Sequence, residues 1–167
     1  MASVLLVYGS WTGSAARVAR QLHRELSLQG LDVSAAPATS APDPSGFDAV
    51  IVGSAVRSGA WHPAAMDWLK KYALRLRTKP LAVFSVCLTP ACRPEKLDEA
   101  RGYSAPLTIE LGLQPLTTGV FAGSHDPSRL GIRDRIRTAV LGAKAGDFIE
   151  PQAIDEWATK VGRALLN

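Results

Sequence analysis

The feature that most constrains the fold is a regular alternation of short apolar runs with helical patterns. Continuous apolar runs of this length are typical of strands that are buried on both faces of a parallel sheet. The predicted strands are residues 3–9, 31–37, 47–54, 80–86 and 115–123. Because parallel neighbours need right-handed crossovers, helices must cover both faces. We therefore predict an α/β three-layer sandwich with a parallel sheet, and its five strands fit the doubly wound order 2-1-3-4-5.

Helical patterns fill the intervals between these strands. The first ends at Gly30, and the second opens at Pro63, a position that tolerates a missing amide. A short helix with Pro106 in its first turn is expected to end at Gly112. The last helix has an inward stripe of Ile154, Trp157, Val161 and Leu165. Each pattern predicts a helix that packs on the sheet by one side.

Length and composition favour a single domain over residues 1–167, with 47% hydrophobic and 20% charged residues. The first residues lack a basic leader and a clear cleavage site, so a cytoplasmic protein is expected. Cys87 and Cys92 stand alone, without accompanying histidines. We expect plain thiols and no metal site. The net charge of +4 is compatible with anionic partners but identifies none.

A sheet with this strand order also predicts where a ligand binds. Ligands of such folds lie outside the carboxyl ends of the strands, beside the first strand. The loops after the first, third and fourth strands are therefore the candidate binding loops.

The first of these loops, residues 10–15, is rich in hydroxyl groups. The start of a helix presents unpaired amides, the side chains of Ser10, Thr12 and Ser14 add donors, and Gly13 permits close approach of the backbone. The loop is suited to a phosphate group. The spacing and the absence of lysine exclude a triphosphate-binding loop, and the dinucleotide fingerprint is also absent. The alternative is that Ser10 or Thr12 only caps the helix.

Motifs in all three loops, taken in order, carry a family resemblance. The S-x-T-G-S stretch at residues 10–14 resembles the phosphate loop of flavodoxins. The other matching segments are Ser54-Ala55-Val56-Arg57 with Gly59 and His62, Ser85-Val86 with Pro94-Glu95-Lys96, Ala122-Gly123, and Glu156-Trp157. Together they resemble the menaquinone-dependent protoporphyrinogen IX dehydrogenase family, which has a flavodoxin-like fold.

This resemblance implies FMN as the cofactor, with contacts in each loop. The implied contacts are Ser10, Trp11, Thr12, Gly13, Ser14 and Ala15 around the phosphate; Ser54, Ala55, Val56, Arg57, Ser58, Gly59 and Trp61 on one side of the ring; and Ser85, Val86, Cys87, Leu88 and Thr89 on the other. The family often has a larger residue at the position of Ser58 and a polar one at that of Cys87.

Four side chains in these loops have two interpretations each. Trp61 is expected to stack on the flavin and Trp11 to cover the ribityl and phosphate end, or either packs without touching flavin. As a catalytic candidate, Arg57 would stabilise an anionic reduced flavin or meet a substrate carboxylate; otherwise it pairs with a neighbouring loop. His62 would act as a catalytic base, or it only helps to start the next helix.

A basic segment at residues 125–147 precedes the last helix. It contains Arg129, Arg133, Arg135, Arg137 and Lys144, with Ile132, Ile136 and Val140 on one helical face. Such an amphipathic helix suits peripheral contact of residues 129–144 with an anionic membrane, on the inner face of the cell membrane. The alternative is a solvated helix that packs its aliphatic stripe on the sheet. No nucleic-acid partner is expected, because no recognised module accompanies the charges.

The resemblance thus implies an FMN-dependent oxidoreductase that passes electrons from a reduced tetrapyrrole, its small-molecule substrate, to a quinone. The alternative is an FMN electron carrier that serves other redox proteins; such carriers are typically acidic, whereas this chain has a pI near 9.3. A phosphorylation-receiver module is excluded, because Tyr8, Gly9, Gly53 and Ser54 stand where it needs acidic residues. The sequence leaves self-association into a homo-oligomer open.

Overall fold

A computed structural model describes residues 1–140 and 142–166. Leu141, in the predicted basic segment, and Asn167, at the end of the predicted domain, lie outside the described residues. Every helix within the described ranges is too short or too polar to cross a membrane.

The main sheet has the predicted parallel order. Its strands are β1 (Ser3–Gly9), β2 (Asp32–Pro37), β3 (Ala49–Arg57), β4 (Ala60–Trp61), β5 (Leu81–Cys87) and β6 (Thr117–Ala122). The parallel strands follow the order β2-β1-β3-β5-β6. β4 only adds a short antiparallel pairing to the end of β3. The predicted order 2-1-3-4-5 is therefore confirmed, although the third strand runs on to Arg57 instead of ending at Ser54.

Helices lie on both faces of this sheet, as predicted. They are α1 (Ser14–Leu28), α2 (Pro63–Leu76), α3 (Thr89–Cys92), α4 (Leu97–Arg101), α5 (Ala105–Glu110), α6 (Ile132–Val140) and α7 (Pro151–Leu166). α2 begins at Pro63, and α5 has Pro106 in its first turn and Gly112, with a φ of 64°, just after its end. The predicted stripe of the last helix is buried against the sheet.

The central strands divide their side chains between two cores. In β1, Val4 and Leu6 join α1 and α7 on one face, while Leu5 and Val7 join α2 on the other. Alternate residues of a strand point to opposite faces, so a continuous apolar run is needed where both faces are covered. This explains why the sequence of β1 shows no polar alternation.

One close contact in the sheet depends on a glycine. Gly53 on β3 is paired with Phe84 on β5, and the buried Phe84 ring lies over the glycine. A Cβ atom at Gly53 would come within 1.9 Å of Phe84 Cζ. The ring also packs beside Phe121 and Trp157, with centroids 5.9 and 6.0 Å away. Gly53 thus provides the space for the largest fully buried side chain of the core.

A two-stranded antiparallel ribbon connects the basic segment to the rest of the fold. The ribbon joins β7 (Ser124–His125) to β8 (Gly146–Asp147). An ion pair of 2.8 Å between Arg17 and Asp147 ties its base to α1. We call residues 126–145, between the two strands of the ribbon, the insertion.

The apolar stripe of the insertion points away from the sheet. Ile132, Ile136 and Val140 on α6 are 77%, 60% and 81% exposed. The alternative in which this stripe packs on the sheet is therefore wrong. The reason is that the opposite, polar side of α6 faces the fold: Asp134 meets Arg57, and Arg137 donates to Ser58 Oγ over 2.9 Å.

Candidate functional site

A cavity of about 350 Å³ lies at the carboxyl ends of the parallel strands. All three predicted loops contribute to its wall. The predicted residues that line it are Trp11, Thr12, Ser14, Ala55, Val56, Arg57, Ser58, Gly59, Val86, Cys87, Leu88 and Thr89. The strand order brings these loops together because parallel strands end at the same edge of the sheet.

The first loop presents a helix start that has no side-chain cap. Gly13 is the capping residue of α1, with a φ of 99° that favours glycine, and no side chain bonds the first turn there. Ser10 Oγ instead accepts the N–H of Gly13 over 3.0 Å, within the loop. The alternative that Ser10 or Thr12 caps α1 is therefore wrong. The amides of the first turn of α1 are left for another acceptor, and an anion is the natural one.

Ser14 connects this loop to β7, which follows the last parallel strand. Its hydroxyl lies 2.8 Å from Ser124 Oγ and accepts the Ser124 N–H over 3.1 Å. Thr12, by contrast, makes no side-chain hydrogen bond within the described residues and lines the cavity. Thr12 is thus the hydroxyl of the loop best placed to serve a ligand.

The second loop is a tight hairpin between β3 and β4. Ser58 and Gly59 have φ values of 52° and 75°, and two consecutive positive φ values are typical of a two-residue type I′ turn. The turn carries Arg57 along the cavity wall, with its guanidinium carbon 4.5 Å from the ring centroid of Trp11. Arg57 Nη1 also donates to Asp134 Oδ2 over 3.3 Å. Arg57 therefore has both the cavity position and the inter-loop pairing that the sequence left as alternatives.

Three residues that the sequence analysis placed against the flavin ring, Trp61, Ser54 and Ser85, lie behind the cavity wall. Trp61 is 2% exposed, and its indole N–H donates to Ser85 Oγ over 2.9 Å. Ser54 Oγ accepts the His62 N–H over 2.7 Å and donates to the carbonyl of Ala55. Because these polar groups are satisfied inside the core, the structure does not bring Trp61, Ser54 or Ser85 to the cavity. Among the loop residues, Ser10, Gly13 and Ala15 also lie off the cavity wall.

His62 acts at the start of α2. Its Nδ1 accepts the N–H of Ala64 over 3.1 Å, and its ring centroid lies 4.6 Å from that of Trp11. Burial, and then the charge of Arg57, lower the pKa of His62 below its ordinary value. The imidazole is therefore neutral at pH 7, as an accepting Nδ1 requires. The structure supports the helix-start interpretation, and the ring supports Trp11 without lining the cavity.

Several lining residues were missed by the sequence analysis. They include Tyr103, Gly123, Ser124 and His125, together with Asp134, Arg137 and Thr138 from the inner face of α6. The loop after β6 follows a parallel strand like the others, so the rule that found three loops would have found this fourth one. No pattern in the sequence indicates which face of α6 points toward the cavity.

The two cysteines are free and both line the cavity. Burial raises the pKa of the Cys87 thiol, although hydrogen bonds from Thr89 oppose this effect. Cys87 is thus a protonated thiol at neutral pH and serves as part of the wall.

The residues present fit the FMN implied by the family resemblance. The uncapped start of α1 and the Thr12 hydroxyl suit a phosphate, and the lack of a lysine matches a mononucleotide. The adjoining wall offers the apolar side chains of Val56, Val86 and Leu88 and the aromatic ring of Tyr103. Apolar and aromatic walls suit a flat ring such as isoalloxazine.

Comparison with known proteins agrees with this fit. Residues 5–147 match the family model of the flavodoxin domain. Protoporphyrinogen IX dehydrogenase [quinone] of Escherichia coli is 28% identical over 145 residues, covering 85% of this chain and 80% of that protein.

Two solved structures show the same fold. Oxidised flavodoxin 2 from Bacillus cereus superposes with a TM-score of 0.64 at 17% identity, covering 97% of this chain and 99% of that one. The rubredoxin oxygen:oxidoreductase of Desulfovibrio gigas superposes with a TM-score of 0.63 at 18% identity, covering 98% of this chain but only 36% of that one. From the family model, the fold and the phosphate loop together, we conclude that this chain belongs to the flavodoxin domain family and that FMN is its cofactor.

Proposed function

We propose that this protein is an FMN-dependent oxidoreductase that takes electron pairs from a reduced tetrapyrrole and passes them to a quinone. Membership of the flavodoxin domain family establishes the redox role. The donor and acceptor are proposed by similarity to the Escherichia coli protein, whose name specifies both. In each turnover the tetrapyrrole would lose two electrons and two protons, and one quinone would become a quinol.

The observation that carries this proposal is the position of the insertion over the cavity. Asp134, Arg137 and Thr138 on the inner face of α6 form part of the cavity wall. A carrier that serves other proteins needs its flavin edge open to them, whereas a helix at the cavity favours a small-molecule substrate. The basic charge of the chain also argues against the carrier alternative.

Two arginines of this wall suit an anionic substrate. Arg57 and Arg137 line the cavity from opposite elements, the β3–β4 hairpin and α6. Arg57 donates one hydrogen bond to Asp134 Oδ2, and Arg137 donates one to Ser58 Oγ. A substrate carboxylate can take the place of either partner and accept two parallel hydrogen bonds from the guanidinium. The propionates of a tetrapyrrole supply such carboxylates. FMN supplies the two-electron chemistry when bound, and the arginines orient the substrate against it.

Anaerobic flavin reduction tests this function. Protoporphyrinogen IX should bleach the bound flavin, and a menaquinone analogue should restore its oxidised spectrum. Arg57→Gln should slow reduction by the tetrapyrrole about tenfold, the effect of losing one charge-assisted hydrogen bond, and leave reduction by dithionite unchanged. Arg20→Gln, an exposed arginine on α1, is the matched control. A flavin that stays oxidised in the presence of protoporphyrinogen would contradict the proposed substrate.

The outward stripe of α6 supports a second part of the proposal, peripheral contact with an anionic membrane. Ile132, Ile136 and Val140 are exposed on one side, and Arg133 and Arg135 are exposed beside them. Apolar residues that enter the interface and arginines that meet lipid phosphates are the elements of such binding. This contact would bring the cavity to a quinone dissolved in the bilayer.

Vesicle binding measures this contact. Ile132→Ser with Ile136→Ser should weaken binding to vesicles of phosphatidylcholine and phosphatidylglycerol by about tenfold or more, because each buried CH₂ contributes about 0.8 kcal/mol. Leu74→Ser removes an equally exposed leucine from α2 and should have no effect. Co-sedimentation of the wild type that is equal with and without phosphatidylglycerol would contradict the electrostatic part of the proposal.

A further inference from the structure

A second cleft adjoins the main cavity at residues 10–15, which we call the phosphate loop. It measures about 260 Å³ and is lined by Thr12, Arg17, Ser124, Asp126 and Arg129. Thr12 and Ser124 line the main cavity as well. A phosphate held at Thr12 would therefore stand at the boundary of the two spaces and face the guanidinium groups of the second.

Arg129 is the arginine of this cleft that reaches the loop itself. Its Nη1 donates to the carbonyl oxygen of Thr12 over 3.3 Å, a contact that joins the insertion to the phosphate loop. Its Nε lies 3.5 Å from Asp126 Oδ2, a long ion pair. A guanidinium has five N–H donors, so these two contacts leave donors for an anion.

The other charged groups in the cleft are already engaged. Arg17 forms its ion pair of 2.8 Å with Asp147. The carboxylate of Asp126 accepts the Ser128 N–H over 2.9 Å and the Ser128 hydroxyl over 2.6 Å. These bonds fix the turn Pro127–Arg129, from which the Arg129 side chain extends. Both of these bonds are to Oδ1, so Oδ2 is left to pair with Arg129 Nε, and the Nη donors of Arg129 that do not bond Thr12 remain for an anion.

We propose that Arg129 binds the phosphate of FMN and so supplies the positive side chain that the loop lacks. The loop contributes amides and a hydroxyl but no cation, whereas the phosphate carries close to two negative charges at neutral pH. Arg129, which lies far from the loop in the sequence, supplies the missing positive charge. The insertion then has a role in holding the cofactor as well as in covering the cavity.

A comparison of FMN with riboflavin tests the proposal, because the two differ only in the phosphate. Arg129→Gln should weaken FMN binding about fivefold, measured by quenching of flavin fluorescence. A charge-assisted hydrogen bond predicts more, but the side chain is 67% exposed and solvent screens it. Riboflavin binding should not change. Arg129→Lys should restore part of the FMN affinity, and Arg20→Gln on α1 should leave both affinities at their wild-type values.

The outcomes separate this inference from the proposed function. An Arg129→Gln variant that binds FMN as tightly as the wild type would overturn the inference, and so would equal losses for FMN and riboflavin, which would indicate a structural role. Neither result would affect the assignment of donor and acceptor, since the inference rests only on FMN as the cofactor. Far-UV circular dichroism and urea unfolding of each variant confirm that the compared proteins are folded.

Discussion

Gly53→Ala is expected to lower the free energy of unfolding by about 3 kcal/mol or more. The new Cβ would come within 1.9 Å of Phe84 Cζ, and the nearest three contacts are all with the aromatic ring. The ring cannot move aside, because it is fully buried against Phe121 and Trp157. Urea unfolding followed by circular dichroism measures the loss. Gly46→Ala, where a Cβ meets nothing within 4 Å, should change the stability by less than about 0.5 kcal/mol.

A second substitution distinguishes overpacking from other causes. If the clash with the ring is responsible, Phe84→Leu should recover part of the stability when it is combined with Gly53→Ala, although Phe84→Leu alone is destabilising. Strict additivity of the two losses would contradict the proposed contact. A Gly53→Ala variant as stable as the wild type would show that the ring does not lie over Gly53.

The double variant Thr12→Val, Ser14→Val is expected to bind FMN about a hundredfold more weakly. Each hydroxyl that bonds a charged phosphate contributes about 1.5–3 kcal/mol, and a loss at the low end of this range for both hydroxyls, about 3 kcal/mol in all, corresponds to about a hundredfold in affinity. Thr12 lines the cavity without a side-chain partner among the described residues. Ser14 shares its hydroxyl with Ser124, so its loss also loosens the contact between the loop and β7. Titration with FMN and with riboflavin measures the effect, and riboflavin should bind almost as before.

A matched pair of substitutions serves as the control. Thr78→Val with Thr159→Val removes two hydroxyls that bond only to backbone carbonyls at α2 and α7. This variant should keep the FMN affinity of the wild type. If the loop variant instead keeps the wild-type affinity, the phosphate does not bind at the start of α1.

The parallel sheet with both faces covered was predictable because burial on both faces leaves a continuous apolar run in each strand. The short strands were not, since a two-residue strand such as β4 or β7 has no period to detect. The end of β3 was predicted too early for a related reason. Residues 55–57 leave the core for the cavity wall, so their sequence stops looking buried while the hairpin pairing with β4 continues.

The candidate site was predictable as a set of loops but not as a set of side chains. Trp61 is an aromatic residue in a binding loop, yet it packs inward because Ser85, on a different strand, accepts its indole N–H. Such a partner is visible only once the strands are paired. The amphipathic pattern of α6 was equally clear, but which side faces the cavity depends on Asp134 and Arg137 meeting the β3–β4 hairpin. Contacts between segments distant in the chain decided both cases.

The antiparallel ribbon at the base of the insertion joins residues that are far apart in the chain. Ser124 lies directly opposite Asp147, so the chain enters and leaves the insertion at nearly the same point. A segment attached in this way can lengthen, shorten or change its composition without disturbing the strands beneath it. This architecture would let the insertion and its ligand contacts diversify among related proteins while the scaffold that holds the nucleotide stays constant.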